Sequence, residues 1–403
     1  MSTSLLYHAF GVRGYQYIRT VYEAGRVRFA IRQPRKALRC SACGSRSLRP
    51  RGAVERLFRA LPIGGRPVTI DFAVPRVGCS DCGAIRQVAV GFAEPRRSYT
   101  KAFERYALDL SRHMTIRAVA EHLGVSWDVI KDIQRRDLQR RFARPKLGHL
   151  RRIAIDEIAV GKRRRFLTVV LDLGSGAVVF VGEGKGSDPL EPFWWRLRRT
   201  KAKVEAVAID MSPAYRRAVA EHLPGATVVF DRFHVVKLFN ERLSDLRPSL
   251  HRQATAEKKA VLKGSRWLLL KNPENLDAQR DEAARLAEAL RLNRPLAVAY
   301  FLKEDLRRFW GQPGKAMADR FLEGWIGRAR ASGVAMLGKM ADTLEGHRDG
   351  LLAYYDHRIS TGQLEGTNNK IKTLSRQAYG FRDREFFKLK LLAIHEARYA
   401  LVG

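Results

Sequence analysis

The chain has 403 residues, enough for two or three domains and at least one sizeable core. Lys and Arg number 75 against 41 Asp and Glu, a formal charge of +34 spread along the whole sequence, so a polyanion is the expected partner and nucleic acid the first candidate. The lack of a long basic amphipathic helix argues against a membrane surface, and the lack of any window near about eighteen apolar residues argues against a bilayer span. "MSTSLLYHAFGVRGYQYI" has no charged segment running into an apolar one, so a cytoplasmic, nucleoid-associated protein is expected.

Residues 1–98 read as a zinc-binding, ribbon-like module. All 4 cysteines fall in CxxC pairs, Cys40 with Cys43 in "CSAC" and Cys79 with Cys82 in "CSDC", each pair followed by glycine. Such a turn aims two thiolates at one ion, and two turns complete a closed tetrahedral Zn²⁺ site of structural type. A redox-active CxxC is the alternative, and the duplication of the motif counts against it; paired cysteines also point to a reducing compartment. "RPVTIDFAVPRVG" alternates like a strand leading into the second pair, and the long gap between pairs predicts an inserted hairpin. Arg35, Lys36, Arg39, Arg46, Arg49 and Arg51 surround the first pair and suit a face turned to phosphates.

Residues 99–140 read as a helix-turn-helix. After a helical run at 102–112, Ile116, Val119, Ala120 and Leu123 make one apolar face, Gly124 breaks the helix, and Ser126 is placed to cap a second helix that turns Val129, Ile130 and Ile133 inward. Its outward side would present Ser126, Trp127, Lys131 and Arg135 to a DNA groove, although helical hairpins without that role are common. The basic stretch 141–150 reads as a linker.

The pattern then changes to strands. "RIAIDEIAV", "FLTVVLDLG" and "GAVVFVGEG" read as an antiparallel meander, followed by a helix, the buried strand "VEAVAIDMS", a helix started by Ser212 and Pro213, and "ATVVFDRFHVVKLFNERL" as strand into helix. The order βββαβαβα over 151–247 is that of a ribonuclease-H-like α/β core, in which the first and fourth strands are neighbours. Asp156 and Asp210 end those two runs. A strand-end aspartate often only caps a turn. Two adjacent carboxylates, however, repel unless a cation lies between them, and hard oxygen ligands favour Mg²⁺ or Mn²⁺.

Residues 248–355 show helical periodicity and read as an insertion that splits the core, with Trp267, Trp310 and Trp325 as its core anchors. Residues 356–403 return to the core. There "HRISTGQLEGTNNKIKTLSRQ" sets one acid, Glu365, among amides and cations, with Asn369, Lys372 and Arg376 following on one helical face. That face is either solvated, with an acid favoured by the helix dipole in the first turn, or it supplies the third acid of a two-metal site.

"IAIDEIAVGKRRRFLTVVLDL", "VAIDMSPAYRRAV", "VVFDRFHVVKLFNERLSDLR" and "GQLEGTNNKIKTLSRQAYGFRDREFFKLKLL", with the cysteine pairs and the helix-turn-helix before them, resemble the ISL3 family of bacterial insertion-sequence transposases over nearly the whole chain. The resemblance implies that Asp156, Asp210 and Glu365 are the acids of a DDE centre holding Mg²⁺ or Mn²⁺. It also implies that "DRFH" is a D-x-x-H signature, with Asp231 and His234 accessory to that centre. It departs at Thr361, where the family often has asparagine; both residues keep a side-chain oxygen at a helix start. The function implied is binding of terminal inverted repeats, metal-dependent strand cleavage and 3′-OH strand transfer on double-stranded DNA, by a homodimer or higher oligomer. Asn369, Lys372 and Arg376 would then meet the DNA backbone, with Lys370, Lys388 and Lys390 extending the surface. Two other readings fit the same motifs: a DNA-binding regulator without catalysis, and a ribonuclease-H-like nuclease or resolvase.

Overall fold

The computed structural model describes residues 4–161, 165–253 and 265–396. They form two compact units. The first takes in the chain up to Ala143 and again from Gln377, and the second is Arg144–Arg376.

The first unit opens with helix α1 (Leu5–Phe10) and a sheet of strands β1 (Gln16–Glu23), β2 (Arg26–Arg32), β3 (Leu48–Ile63), β4 (Arg66–Cys79) and β5 (Ile85–Gln87). Their order is β1-β2-β4-β3, with β5 also on β4. The expected hairpin is β3–β4. Ile63 pairs with Arg66 across Gly64 and Gly65, whose φ values of +54° and +78° are those of the two-residue turn that matches strand twist and favours glycine. Alternate residues of β4, Val68, Ile70, Phe72 and Val74, are buried with Phe58 and Phe92, as a half-buried strand requires.

Three helices follow, α2 (Lys101–Leu110), α3 (Ile116–Leu123) and α4 (Trp127–Phe142). Val119, Ala120, Leu123, Ile130 and Ile133 are buried between them, and Gly124 ends α3 in the left-handed conformation, as its place in the turn requires. Ser126 occupies the N-cap position of α4 but makes no side-chain cap bond; Thr115, which caps α3 through the Ala118 N–H, does. Arg59 of β3 donates to the Leu123 carbonyl at 2.6 Å, tying the sheet to the end of α3.

The second unit is built on a sheet of β6 (Arg152–Gly161), β7 (Arg165–Asp172), β8 (Val178–Glu183), β9 (Ala206–Ile209) and β10 (Thr227–Phe230), in the order β10-β9-β6-β7-β8. The first three strands are an antiparallel meander, and β9 and β10 add in parallel beside β6. Helices α5 (Glu191–Arg198), α6 (Pro213–His222) and α7 (Arg232–Gln253) alternate with the later strands. This is the ribonuclease-H-like order read from the sequence, with the first and fourth strands adjacent.

The helices α8 (Ser265–Leu270), α9 (Glu282–Arg291), α10 (Arg294–Arg307), α11 (Lys315–Ala331), α12 (Ala335–Glu345) and α13 (Arg348–Leu352) make up the insertion. The expected boundary at 247/248 falls inside the continuous helix α7, so the insertion grows out of a core helix. Trp325 is wholly buried and donates to the Leu302 carbonyl at 2.9 Å, and Trp310 packs partly buried against the same core. Trp267 is no anchor, being 66% exposed.

Helix α14 (Gly362–Gln377) closes the second unit. The expectation that 356–403 belongs entirely to the core does not hold. From Gln377 the chain lies in the first unit, where α15 (Arg384–Leu392) packs on α4. Phe386, Phe387 and Leu391 are buried there, and their apolar area accounts for the return.

Candidate active site

The site starts from strand register. Parallel β6 and β9 align Ile153 with Val207 and Ala154 with Ala208. Two residues further along each strand are Asp156, in the middle of β6 where the sequence reading had it end a run, and Asp210, just past the end of β9, so neighbouring strands carry the two carboxylates on equivalent positions. Burial raises the pKa of both. On Asp156 the neighbouring Asp210 raises it further, against the opposing pull of His234 and the Glu157 N–H; on Asp210 the Ser212 N–H and His234 oppose the rise and Glu157 adds to it. Asp210 does accept from the Ser212 N–H at 3.0 Å. It therefore caps the following turn as well, as the plainer reading of a strand-end aspartate held.

The end of β10 adds a third acid, Asp231, 2% exposed. Its Oδ2 lies 3.2 Å from His234 Nδ1, and its Oδ1 accepts from the Thr361 N–H at 3.2 Å. Burial alone would raise Asp231, but the bonds from His234 and Thr361 outweigh it and hold the carboxyl below the usual range. His234 shows the converse. Burial opposes its charge, and Asp231 with Asp156 overrides that and raises it. Its Nε2 is 3.8 Å from Asp156 Oδ1. The D-x-x-H pair thus joins the first acid to the residue just before α14.

Glu365 lies partly buried in the first turn of α14, its N–H bonded to the Thr361 carbonyl at 2.8 Å. Asn369, Lys372 and Arg376 are exposed on the same helix. Lys372 and Arg376, with Ile371 and Ser375, face Ile158, Ala159 and Val160 of β6 across a groove of about 330 Å³. Asn368, absent from the sequence reading, is the residue of α14 that reaches Asp156, its Nδ2 donating to Oδ2 at 2.9 Å. Its spacing of three from Glu365 shares the helical face as fully as the spacing of four that was read. Glu157 was passed over too; its Oε1 accepts from the Gly186 N–H and the Tyr215 hydroxyl, both at 2.8 Å.

Among the described residues the four cysteines alone form a cluster of potential metal ligands, and Asp156, Asp210 and Glu365 do not close into one. The sulfurs all lie within 4.8 Å of one another, with Cys40–Cys82 at 3.7 Å and Cys43–Cys79 at 3.6 Å. Four thiolates about 2.3 Å from a tetrahedral zinc would stand about 3.8 Å apart, so the donor set fits that ion. Gly44 and Gly83, at φ +77° and +70°, donate to the Cys40 and Cys79 carbonyls and close each knuckle. The N–H groups of Cys43 and Ala42 draw the Cys40 thiol down to about 6. Cys43 accepts from the Ser45 N–H, yet Cys82 and Cys79 push it up to about 12. Four thiolates so close need a cation.

Helix α4 departs from expectation at two of its four candidates. Ser126 and Trp127 are exposed. Lys131 Nζ lies 2.9 Å from Asp383 Oδ2, and Arg135 pairs with the same oxygen. Both cations stand over the Phe386 ring. The cause is α15, which covers the far half of the α4 face that the sequence left open. Lys390 is half-buried over Phe386, and burial draws its pKa down to about 8, so it is not the freely exposed cation that the sequence suggests.

A ribonuclease-H-like core with paired acids on neighbouring strands, preceded by a four-cysteine ribbon and a helix-turn-helix, defines a DNA-processing enzyme with its own recognition modules. Family comparison is consistent along the chain. Residues 153–391 match a transposase family model of ISL3 type, 88–137 match the helix-turn-helix domain of transposase family ISL3, and 36–82 match the zinc-finger of transposase IS204/IS1001/IS1096/IS1165. The transposase for insertion sequence element IS1001 of Bordetella parapertussis is 33% identical over 362 residues, 89% of each chain. The transposase for insertion sequence element IS1557 of Mycobacterium tuberculosis is 32% identical over 405 residues, 92% of this chain and 89% of that one. A solved structure, the Drosophila P element transposase strand transfer complex, matches at a TM-score of 0.40 and 13% identity over 74% of this chain and 92% of that chain, a likeness too remote to bear on the site. The chain belongs to the ISL3 family of transposases. Among the described residues no helix is long and apolar enough to cross a membrane.

Proposed function

We propose that this transposase binds the terminal inverted repeats of an insertion sequence through its ribbon and helix-turn-helix, and that Asp156, Asp210 and Glu365 are the ligands of two divalent ions, Mg²⁺ or Mn²⁺. The parallel register of β6 and β9 carries the reading, since it sets two partly buried acids on equivalent positions of neighbouring strands, where their charges favour a cation between them. Bound there, divalent ions would activate the attacking hydroxyl and stabilise the leaving oxygen in an in-line displacement at phosphorus. The protein's own part is to hold the acids and the strand. Asp231 anchors the start of α14 through Thr361 and fixes His234 beside Asp156. Lys372 and Arg376 line the groove between α14 and β6 and meet phosphates there, and Asn369 adds a neutral donor. Ser126 and Trp127 carry the base contacts of α4, and the thiolates of Cys40, Cys43, Cys79 and Cys82 hold one structural zinc. Cutting two ends together requires at least a dimer on DNA.

The test uses labelled DNA of the element's ends, Mg²⁺ or Mn²⁺, and Asp156→Asn, Asp210→Asn and Glu365→Gln beside the parent. Each variant should lose cleavage and strand transfer by at least about a thousandfold, the scale expected when a group needed for the chemical step is removed, and keep end binding. Full cleavage by any of the three removes that residue from the site.

A further inference from the structure

Asn368 lies one turn beyond Glu365 on α14 and is 7% exposed. Its Nδ2 donates to Asp156 Oδ2 at 2.9 Å, while Asp156 Oδ1 accepts from the Glu157 N–H at 2.7 Å. One side chain therefore ties the helix of the third acid to the strand of the first. The kind of donor matters. A Lys or Arg in this place would pair with Asp156 and compete with a cation for it, whereas a neutral amide fixes the carboxylate's rotation and leaves its charge available. The amide must turn its nitrogen to the carboxylate, because an ionised carboxylate only accepts. That turns the amide oxygen away, and Asn368 Oδ1 is buried without a hydrogen-bond partner. A buried acceptor left unpaired is costly, a cost that the bond to Asp156 must offset.

We infer that Asn368 is a positioning residue for the catalytic cation: its N–H holds Asp156 in the orientation that leaves the carboxylate's charge available to the ion. The inference rests on the reading of Asp156, Asp210 and Glu365 as metal ligands. Partners that orient ligands in this way typically change affinity by about 10–100-fold when removed.

The test is Mn²⁺ binding by titration calorimetry on the full chain without DNA, paired with thermal melting, for the parent, Asp156→Asn, Asn368→Ala and Asn368→Asp. Asn368→Ala should bind Mn²⁺ at least about tenfold more weakly while folding as the parent does, and Asp156→Asn should lose the binding. Asn368→Asp places a second carboxylate against Asp156. Its metal-free melting temperature should fall below the parent's, and Mn²⁺ should raise it by more than it raises the parent's. Parent-like Mn²⁺ affinity in Asn368→Ala, with binding lost in Asp156→Asn, overturns the role of Asn368 and leaves the metal site standing. Failure of the parent to bind Mn²⁺, or binding that survives Asp156→Asn, overturns the metal reading itself. If Asn368→Ala does not fold, an equal Mn²⁺-induced shift in Asn368→Asp and the parent is the overturning result.

Discussion

Asp156 and Asp210 are carboxyls whose ionisation the fold works against, since burial raises both above the ordinary aspartate value. An acid with a raised pKa binds its proton more tightly folded than unfolded. Its contribution to stability is therefore present at low pH and is lost as pH rises through the unfolded value of about 3.9 towards the folded one. At neutral pH, without divalent metal, both acids are liabilities. Asp156→Asn keeps the shape and removes the charge, so its metal-free chain should melt above the parent at pH 7, by about 2–4 °C per kcal/mol regained for a domain of this size. The gap should close as pH falls below the carboxylate range. Addition of Mn²⁺ should reverse the order, because only the parent gains from the ion. Melting curves at pH 4 and 7 with and without Mn²⁺ check the sign; a metal-free variant that melts below the parent at pH 7 would mean that the carboxylate is stabilised by its hydrogen bonds more than it is penalised by burial.

Helix α15 carries a second consequence, because Asp383 occupies two cations on the helix that belongs to the DNA-binding motif. Its other oxygen caps α15 through the Phe386 N–H at 3.0 Å. Asp383→Asn keeps a capping side chain and releases Lys131 and Arg135. If the released cations reach phosphate, the dependence of log affinity on log salt should steepen by about 0.9 for each. Fluorescence anisotropy with duplex DNA across a salt series measures the slope, and an unchanged slope would mean that neither cation meets the backbone. The same helix marks what the sequence could and could not say. The order of strands in the second unit, the knuckles and the turn at Gly124 were legible because each follows from local rules: apolar runs of strand length, glycines at positive φ, CxxC spacing. The destination of α15 was not. "REFFKLKLL" has an apolar face but nothing in the sequence tells which surface covers it, so Lys131, Arg135 and Lys390 all read as exposed cations. Asn368 was hidden differently, since the partner that gives it meaning is 212 residues away. Trp267 failed for a third reason: a large aromatic is buried more often than not, and this one is 66% exposed.

Over the whole molecule, the charge of +34, the four-cysteine cluster and the proposed divalent-ion site divide the labour. Positive charge spread along a chain raises affinity for any duplex but selects none, so the proposed function assigns selection of an end to the ribbon and the helix-turn-helix. The ribbon's four thiols cannot all ionise at their present spacing without a cation, as the opposed shifts of Cys40 and Cys43 indicate. Removing zinc should therefore loosen the knuckles at Gly44 and Gly83 and the hairpin between them. The acids of the second unit use none of those ligands. Titration with a thiol-reactive mercurial should release about one zinc per chain and abolish selective end binding, leaving weak, salt-sensitive binding to any duplex. Mercurial removal with excess thiol, followed by Zn²⁺, should restore selection, and Mg²⁺ should not. Glu365→Gln should behave in the opposite way, holding zinc and binding ends selectively without cutting them. Loss of zinc with selective binding intact would put end recognition outside the ribbon, in the helix-turn-helix alone.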